Sequence, residues 1–155
     1  MTDRNQPFSS AEQVAYLNRM LEAERAGAKA LMAILEMSPR HGEAWAALRR
    51  MHNDEAHNCV LIGKQIKRLG ADYSHATGEF LDKLIAIQGN RARVDFLAKG
   101  LRWAVRRFDE AMPCLDEEVR GTIAQIRESH LRSIELCEQV CSVLPADVIE
   151  QGLAR

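Results

Sequence analysis

The feature that most constrains this chain is a carboxylate inside an otherwise apolar helical stripe near its start. Side chains spaced alternately four and three residues apart lie on one face of a helix. Glu24 lies near the centre of that face, where a helix packed in a protein core normally carries an aliphatic side chain. The other members of the stripe are Leu17, Leu21, Ala28, Leu31 and Leu35. An isolated ionised carboxylate in apolar surroundings costs several kcal/mol or more, so a second group must neutralise or bind Glu24.

Two further helical stripes carry an ionisable residue at their centre. Residues 43–69 predict a second long helix, closed by Gly70, with Glu55 in the middle of its inner face. Residues 116–144 predict another long helix with His130 at its centre. The second stripe comprises Leu48, His52, Glu55, Cys59, Ile62, Ile66 and Leu69, and the last comprises Val119, Ile123, Ile126, His130, Ile134, Cys137 and Cys141. Three long helices therefore each bring one ionisable group to mid-length.

The whole pattern predicts four long helices and one short one. The first long helix begins near residue 10, because Ser9 and Glu12 have the spacing of a capping box. Residues 91–112 predict the third, whose inner stripe has no ionisable group at its centre. A short amphipathic helix is predicted over residues 77–88, within the link between the second and third long helices.

These elements predict an all-α four-helix bundle over residues 10–145, preceded by a disordered arm over residues 1–9 and followed by a C-terminal tail over residues 146–155. The link before the third long helix can run the length of the bundle, so that helix is expected to lie parallel to the second. With a rise of about 1.5 Å per residue, Glu24 and Glu55 lie equally far from the first interhelical turn and face each other.

Composition and charge exclude several kinds of partner. The chain has 21 basic and 22 acidic residues and no basic run, so no nucleic-acid partner is expected. The polar start and the lack of a long apolar run predict a cytoplasmic protein with no membrane partner. The four cysteines fall within helical patterns, which predicts reduced thiols packed as small core residues. No organic cofactor is predicted.

Two short segments around the central glutamates carry a family resemblance. They are residues 21–28, LEAERAGA, and residues 54–56, DEA, followed by Cys59. At these positions the chain resembles the ferritin-like superfamily, and more closely the rubrerythrin-related small bacterial ferritin-like domains of uncharacterised function. The resemblance implies a ferritin-like bundle, a fold in which two irons or manganeses lie mid-bundle, bound by one Glu from each of two helices and a Glu-x-x-His from each of the others. It also implies ligand roles for Glu24, Glu55 and His130.

Two positions depart from that ligand pattern. Asn58 stands where the pattern has His, three residues after Glu55, and Arg127 stands where it has Glu, three residues before His130. An intact site for two metals is therefore not expected. His52, one turn before Glu55, can supply a nitrogen in place of Asn58, which gives a degenerate site for one divalent ion, iron, manganese or zinc. The predicted metal ligands are Glu24, His52, Glu55 and His130. The function that follows is redox chemistry on peroxide or dioxygen.

A metal-free interpretation stays open at this point. Arg127 and a protonated His130 could balance Glu24 and Glu55 in a buried polar network, the vestige of an ancestral site. The bundle would then serve as an interaction or structural module, with the network fixing the register of its helices.

The third long helix also predicts a partner. Phe96 and Trp103 are seven residues apart and share the face opposite the core stripe. Two large exposed aromatics usually mark an interaction surface. We expect the short helix over residues 77–88 to cover part of this patch and a symmetric homodimer to bury the rest.

Overall fold

The computed structural model describes residues 5–144, and all regular structure in that range is helical. It contains five α-helices, α1 Ser10–Glu36, α2 Gly42–Arg68, α3 Phe80–Ala86, α4 Asn90–Ala111 and α5 Glu117–Val143, with a 3₁₀ turn at Met112–Cys114. The predicted all-α class and the four long helices are confirmed within these residues. The predicted C-terminal tail and the first four residues of the predicted arm lie outside the described range.

The start of α1 has the cap that its sequence predicts. The Ser9 hydroxyl accepts a hydrogen bond from the Glu12 backbone N–H at 3.1 Å, and the Glu12 carboxylate accepts one from the Ser9 N–H at 3.0 Å. Residues 5–9 were expected to belong to a disordered arm, but Phe8 within this segment contacts the bundle. The Phe8 N–H donates to the Cys114 carbonyl at 2.9 Å, and the Phe8 ring lies 6.2 Å from the Tyr16 ring. The half-buried Phe8 side chain packs against the first of the core's hydrophobic clusters.

Contacts at the helix ends define the direction of each long helix. Arg68 at the end of α2 pairs with Asp116 just before α5, with 2.8 Å between Nη2 and Oδ2. Asn90 at the start of α4 donates to the Met37 carbonyl, just after α1, at 3.1 Å. At the opposite end of the bundle, the residues before α1 bond to Cys114, just after α4. Helix α4 therefore runs antiparallel to α1 and parallel to α2.

The link between α2 and α4 lies along α1 as an extended segment. The Ser74 N–H donates to Asn18 Oδ1 at 2.7 Å, and the Ser74 hydroxyl donates to Glu22 at 3.1 Å. The Arg25 guanidinium donates to the carbonyls of Ser74 and Ala76, at 2.8 and 2.5 Å. Three polar side chains of α1 thus satisfy backbone and hydroxyl groups that an extended segment leaves without helical partners.

The short helix α3 covers part of the aromatic patch on α4. It is shorter than the predicted 77–88, because Gly78 has a φ of 79°, outside the helical region. The Phe80 ring stacks on the Phe96 ring, with centroids 4.9 Å apart and planes 13° from parallel. Trp103 stays 44% exposed, with the Arg107 guanidinium 5.6 Å from its ring centroid. The short helix therefore covers Phe96 and leaves Trp103 at the surface.

The core consists of two hydrophobic clusters, one toward each end of the bundle. The first includes Leu17, Leu21, Ile62, Ile66, Phe108 and Ile123, and the second includes Leu31, Ile34, Leu48, Met51, Leu97 and Cys137. On each of α1, α2 and α5, the ionisable residue at mid-length falls in the interval between them. A polar layer therefore separates two apolar halves of one core.

Candidate metal centre

The polar layer brings together the three ionisable residues at the centres of their stripes. Glu24, Glu55 and His130 are each 3% exposed, and they come from α1, α2 and α5. One potential ligand atom from each lies within 4.8 Å of the others. The prediction that these three side chains converge at mid-bundle is confirmed. The convergence follows from helix geometry, because each residue is the middle member of an inward-facing stripe.

Within the group, the His130 imidazole faces both carboxylates. Its Nε2 atom is 3.0 Å from Glu24 Oε1 and 4.0 Å from Glu55 Oε1. Its Nδ1 atom is 3.0 Å from the Ile126 carbonyl, one turn earlier on α5. A carbonyl can only accept, so the hydrogen on Nδ1 points away from the group. Nε2 is thereby directed at the carboxylates. The same Nδ1 arrangement orients metal-binding histidines, whose second ring nitrogen usually donates to an oxygen.

The charges around His130 alter its pKa. Burial alone would lower the pKa of the imidazole, because it disfavours the charged form. The negative charge of Glu24, its hydrogen bond to Nε2 and the Ile126 carbonyl together outweigh burial and raise the pKa above its ordinary value of 6.5. The surroundings of Nε2 therefore favour a positive charge at that point.

The two carboxylates are only partly satisfied. Glu24 Oε2 and Glu55 Oε2 are buried and have no hydrogen-bond partner. Among the ion pairs of the described residues, both carboxylates pair with His130 alone. Even a fully protonated His130 supplies one positive charge against two negative ones. A buried, unbalanced charge of this kind is unfavourable by several kcal/mol, so the group requires a further cation or protons.

His52, the fourth predicted ligand, does not join the group. It lies in a separate groove between α1 and α2, together with Leu35, Arg49 and Asn53. The predicted inner stripe of α2 is off by one position here, because Met51 is fully buried and His52 is only half-buried. At about 100° per residue, that rotation moves the imidazole from the core to the flank.

Arg127 does not balance the carboxylates either. Its Nε atom is 2.7 Å from Asp109 Oδ1, and the two side chains are 33% and 51% exposed. It lies three residues before His130 and is turned away from the core, so the predicted vestigial Glu/His/Arg network is not formed. Asn58 is buried and its amide is 3.5 Å from the Ser129 hydroxyl, which extends the polar layer without adding charge.

Two further residues, which the sequence pattern did not single out, shape the group of Glu24, Glu55 and His130. Gly27 lies against Glu55, since a Cβ there would be 3.2 Å from Glu55 Cδ and 3.3 Å from each carboxylate oxygen. Phe108 of α4 packs edge-on against the His130 ring, with centroids 5.1 Å apart and an angle of 84°. A glycine within a helical pattern was the available signal, because glycine is unfavourable there without a packing reason.

A cavity of about 450 Å³ lies beside the group, between α1 and α4. Glu24, Glu55 and His130 all contribute to its wall, and α3 with the residues preceding it covers one side. Helices α1 and α4 contact each other least among the adjacent long helices, and small side chains line the seam. The buried polar group therefore borders a cavity between α1 and α4, and α4 is the long helix whose inner stripe has no ionisable residue at its centre.

The fold and this group define an all-helical bundle protein with a buried carboxylate and histidine cluster that could hold a metal ion. Comparison with protein families matches residues 11–139 to the family described as Domain of unknown function (DUF6306), and the chain belongs to that family. Neither curated proteins nor solved structures give a match. Among the described residues, no helix combines the length and the hydrophobicity that crossing a membrane requires.

Proposed function

We propose that this protein binds one divalent transition-metal ion through Glu24, Glu55 and His130. We further propose that the bundle is ferritin-like, with a site for one ion in place of the two that the resemblance implies. The observation that carries the proposal is the buried pair of carboxylates, each with one oxygen that lacks a partner. A divalent cation balances two ionised carboxylates and a neutral imidazole without any further charged group.

The spacing of the side chains fits such an ion. Two ligands that are each about 2.1 Å from an ion and at right angles to each other are about 3.0 Å apart. The Nε2 of His130 is 3.0 Å from one carboxylate oxygen and 4.0 Å from the other. All three candidate ligand atoms lie within 4.8 Å of one another, so a bound ion would draw them closer together. Imidazole together with carboxylate suits iron, manganese and zinc, and three protein ligands leave positions for water or substrate.

Each residue has a distinct part in this proposal. Glu24 and Glu55 supply the negative charge, and His130 supplies a nitrogen oriented by the Ile126 carbonyl. Phe108 excludes water from one side of the imidazole. Gly27 leaves room for the Glu55 carboxylate against the backbone of α1. When bound, iron or manganese would supply electron transfer to dioxygen or peroxide, the chemistry of a non-haem metal protein.

Metal analysis of protein purified without chelator tests this assignment. We expect about one iron, manganese or zinc ion per chain in the wild type. Glu24→Gln and His130→Gln should each lose the ion and keep the helical circular-dichroism signal. Glu36→Gln is the matched control, because Glu36 is an exposed carboxylate at the end of the same helix. Retention of the ion by Glu24→Gln, or its absence from the wild type, contradicts the ligand assignment.

Activity is a separate step of the test. Iron-loaded and manganese-loaded protein should consume hydrogen peroxide at a rate that Glu24→Gln abolishes and Glu36→Gln leaves unchanged. A metal-loaded wild type with no faster peroxide or dioxygen consumption than the free ion would support metal binding and refute the redox function.

A further inference from the structure

The cavity beside the metal group is larger than water or dioxygen requires. A water molecule occupies about 30 Å³ in the liquid, whereas the cavity measures about 450 Å³. Sites for small organic ligands typically measure about 300 to 1,000 Å³ and are lined mainly by apolar side chains. The size of this cavity therefore falls in the range of a site for an organic molecule.

The cavity walls are mainly apolar and closed at the inner end by the metal group. Met20 of α1 and Leu97, Leu101 and Phe108 of α4 form much of the wall. Its polar inner end consists of Glu24, Glu55 and His130, all buried. Polar residues such as Lys83 and Glu22 reach the cavity from its outer side, where Trp103 is also exposed. A ligand placed here contacts hydrocarbon along its body and polar groups at its inner end.

Small residues on both sides of the seam create this space. Ala23 and Gly27 of α1 face Gly100 and Ala104 of α4 across the cavity. The Phe80 ring fills the space beside Gly100, where an added Cβ would lie 2.9 Å from Cε2 of that ring. Larger side chains at these positions would fill the seam. The cavity volume thus depends on these four small residues and on the Phe80 ring that packs beside Gly100.

We propose that this cavity binds a small, largely apolar organic molecule with its one oxygen-bearing end at Glu24, Glu55 and His130. The inference rests on the metal site proposed above, which makes the inner end a place for an oxygen donor. At about 30 Å³ per non-hydrogen atom, the cavity accommodates a body of about 10 to 15 such atoms. The apolar wall excludes a sugar, a nucleotide or a peptide, because their polar groups would be buried without partners.

Tryptophan fluorescence provides a direct test of binding. The chain has two tryptophans, so Trp45→Phe leaves Trp103, at the cavity, as the sole reporter. Titration of the zinc-loaded protein with n-alkanols from butanol to nonanol should change this fluorescence saturably. Affinity should rise about fourfold per methylene, the factor expected from burying one CH₂, until the cavity is full. No saturable change, or no dependence on chain length, would overturn the proposal.

Variants locate the binding. Ala23→Phe fills the cavity from α1 and should weaken alkanol binding at least tenfold while keeping bound zinc. Ala56→Phe, on the exposed face of α2, is the matched control and should bind alkanols like the parent. If Ala23→Phe unfolds, Ala104→Val reduces the same cavity from α4 with a smaller change. Equal binding by a folded cavity variant and the control would refute this location.

Octanoate separates the inference from the metal proposal. Without an ion, two carboxylates repel its head group, whereas bound zinc attracts it, so octanoate should bind the zinc-loaded protein at least tenfold more tightly. Alkanol binding to a protein that takes up no zinc would support the apolar pocket and refute the metal site. Zinc uptake without binding of either probe would refute the pocket alone.

Discussion

Replacing Gly27 with alanine should separate metal binding from helix stability. A methyl group at this position would lie 3.2 Å from Glu55 Cδ and 3.3 Å from both carboxylate oxygens. The carboxylate must then move by a few tenths of an ångström, whereas metal-to-ligand distances tolerate only about 0.2 Å. We expect the dissociation constant for zinc or manganese to rise about 10- to 100-fold, as it does when groups that support a ligand are disturbed.

The free energy of unfolding should respond differently. Alanine is favoured over glycine within a helix by about 1 kcal/mol. The crowding of Glu55 costs about 1 to 3 kcal/mol, so Gly27→Ala should be neutral or somewhat destabilising. Gly121→Ala is the matched control, because Gly121 lies within α5 and an added Cβ there has no neighbour within 4 Å. Gly121→Ala should gain the full stabilisation expected from replacing glycine with alanine in a helix, and it should bind the ion like the wild type.

Metal titration by calorimetry and urea unfolding of the ion-free proteins measure the two effects. The decisive comparison is between the two alanine variants. If Gly27→Ala binds the ion as tightly as the wild type and gains as much stability as Gly121→Ala, Glu55 is not held against α1 as a ligand. The reasoning from the contact between Gly27 and Glu55 would then be wrong.

Three further outcomes follow from the structure. Arg127→Ala should lower the free energy of unfolding in urea by at most about 1 kcal/mol, the range for an exposed ion pair such as that with Asp109. A loss of about 3 to 5 kcal/mol would instead support the interpretation of a buried Glu/His/Arg network. The folded-state pKa of His130 is raised above 6.5, so the stabilisation that its charge gives the ion-free protein is complete below pH 6.5 and is lost as pH rises through the folded-state pKa. The free energy of unfolding of the ion-free wild type should therefore fall over this pH range, and that of His130→Gln should not show this fall. The homodimer through the Phe96 and Trp103 face stays a prediction; light scattering should give a dimer mass that Trp103→Glu reduces to the monomer, and a monomeric wild type would exclude it.

The four long helices could be predicted because the features that start and end them are local in the sequence. Caps such as Ser9 with Glu12 and the stops after α1 and α2 depend on residues a few positions apart. The same holds for the convergence of Glu24, Glu55 and His130. Each lies at the middle of its own stripe, and periodicity places the middle of an amphipathic helix at the middle of the core.

Periodicity was less able to distinguish neighbouring positions on one helix. Residues next to each other differ by about 100°, so an inner stripe can be misassigned by one position when both candidates are plausible core residues. On α2 the interior takes Met51 and Asn58 in place of His52 and Cys59. The packing of α1 and α5 against α2 decides that rotation.

The sequence by itself determined the helices, their caps and the three ionisable residues that meet at mid-bundle, since these depend on spacing along the chain. Only the tertiary structure decided what surrounds them. Arg127 pairs outward with Asp109, Gly27 makes room for Glu55, and the seam between α1 and α4 leaves a cavity. Each of these depends on how closely two helices approach, which is a property of side chains far apart in the sequence.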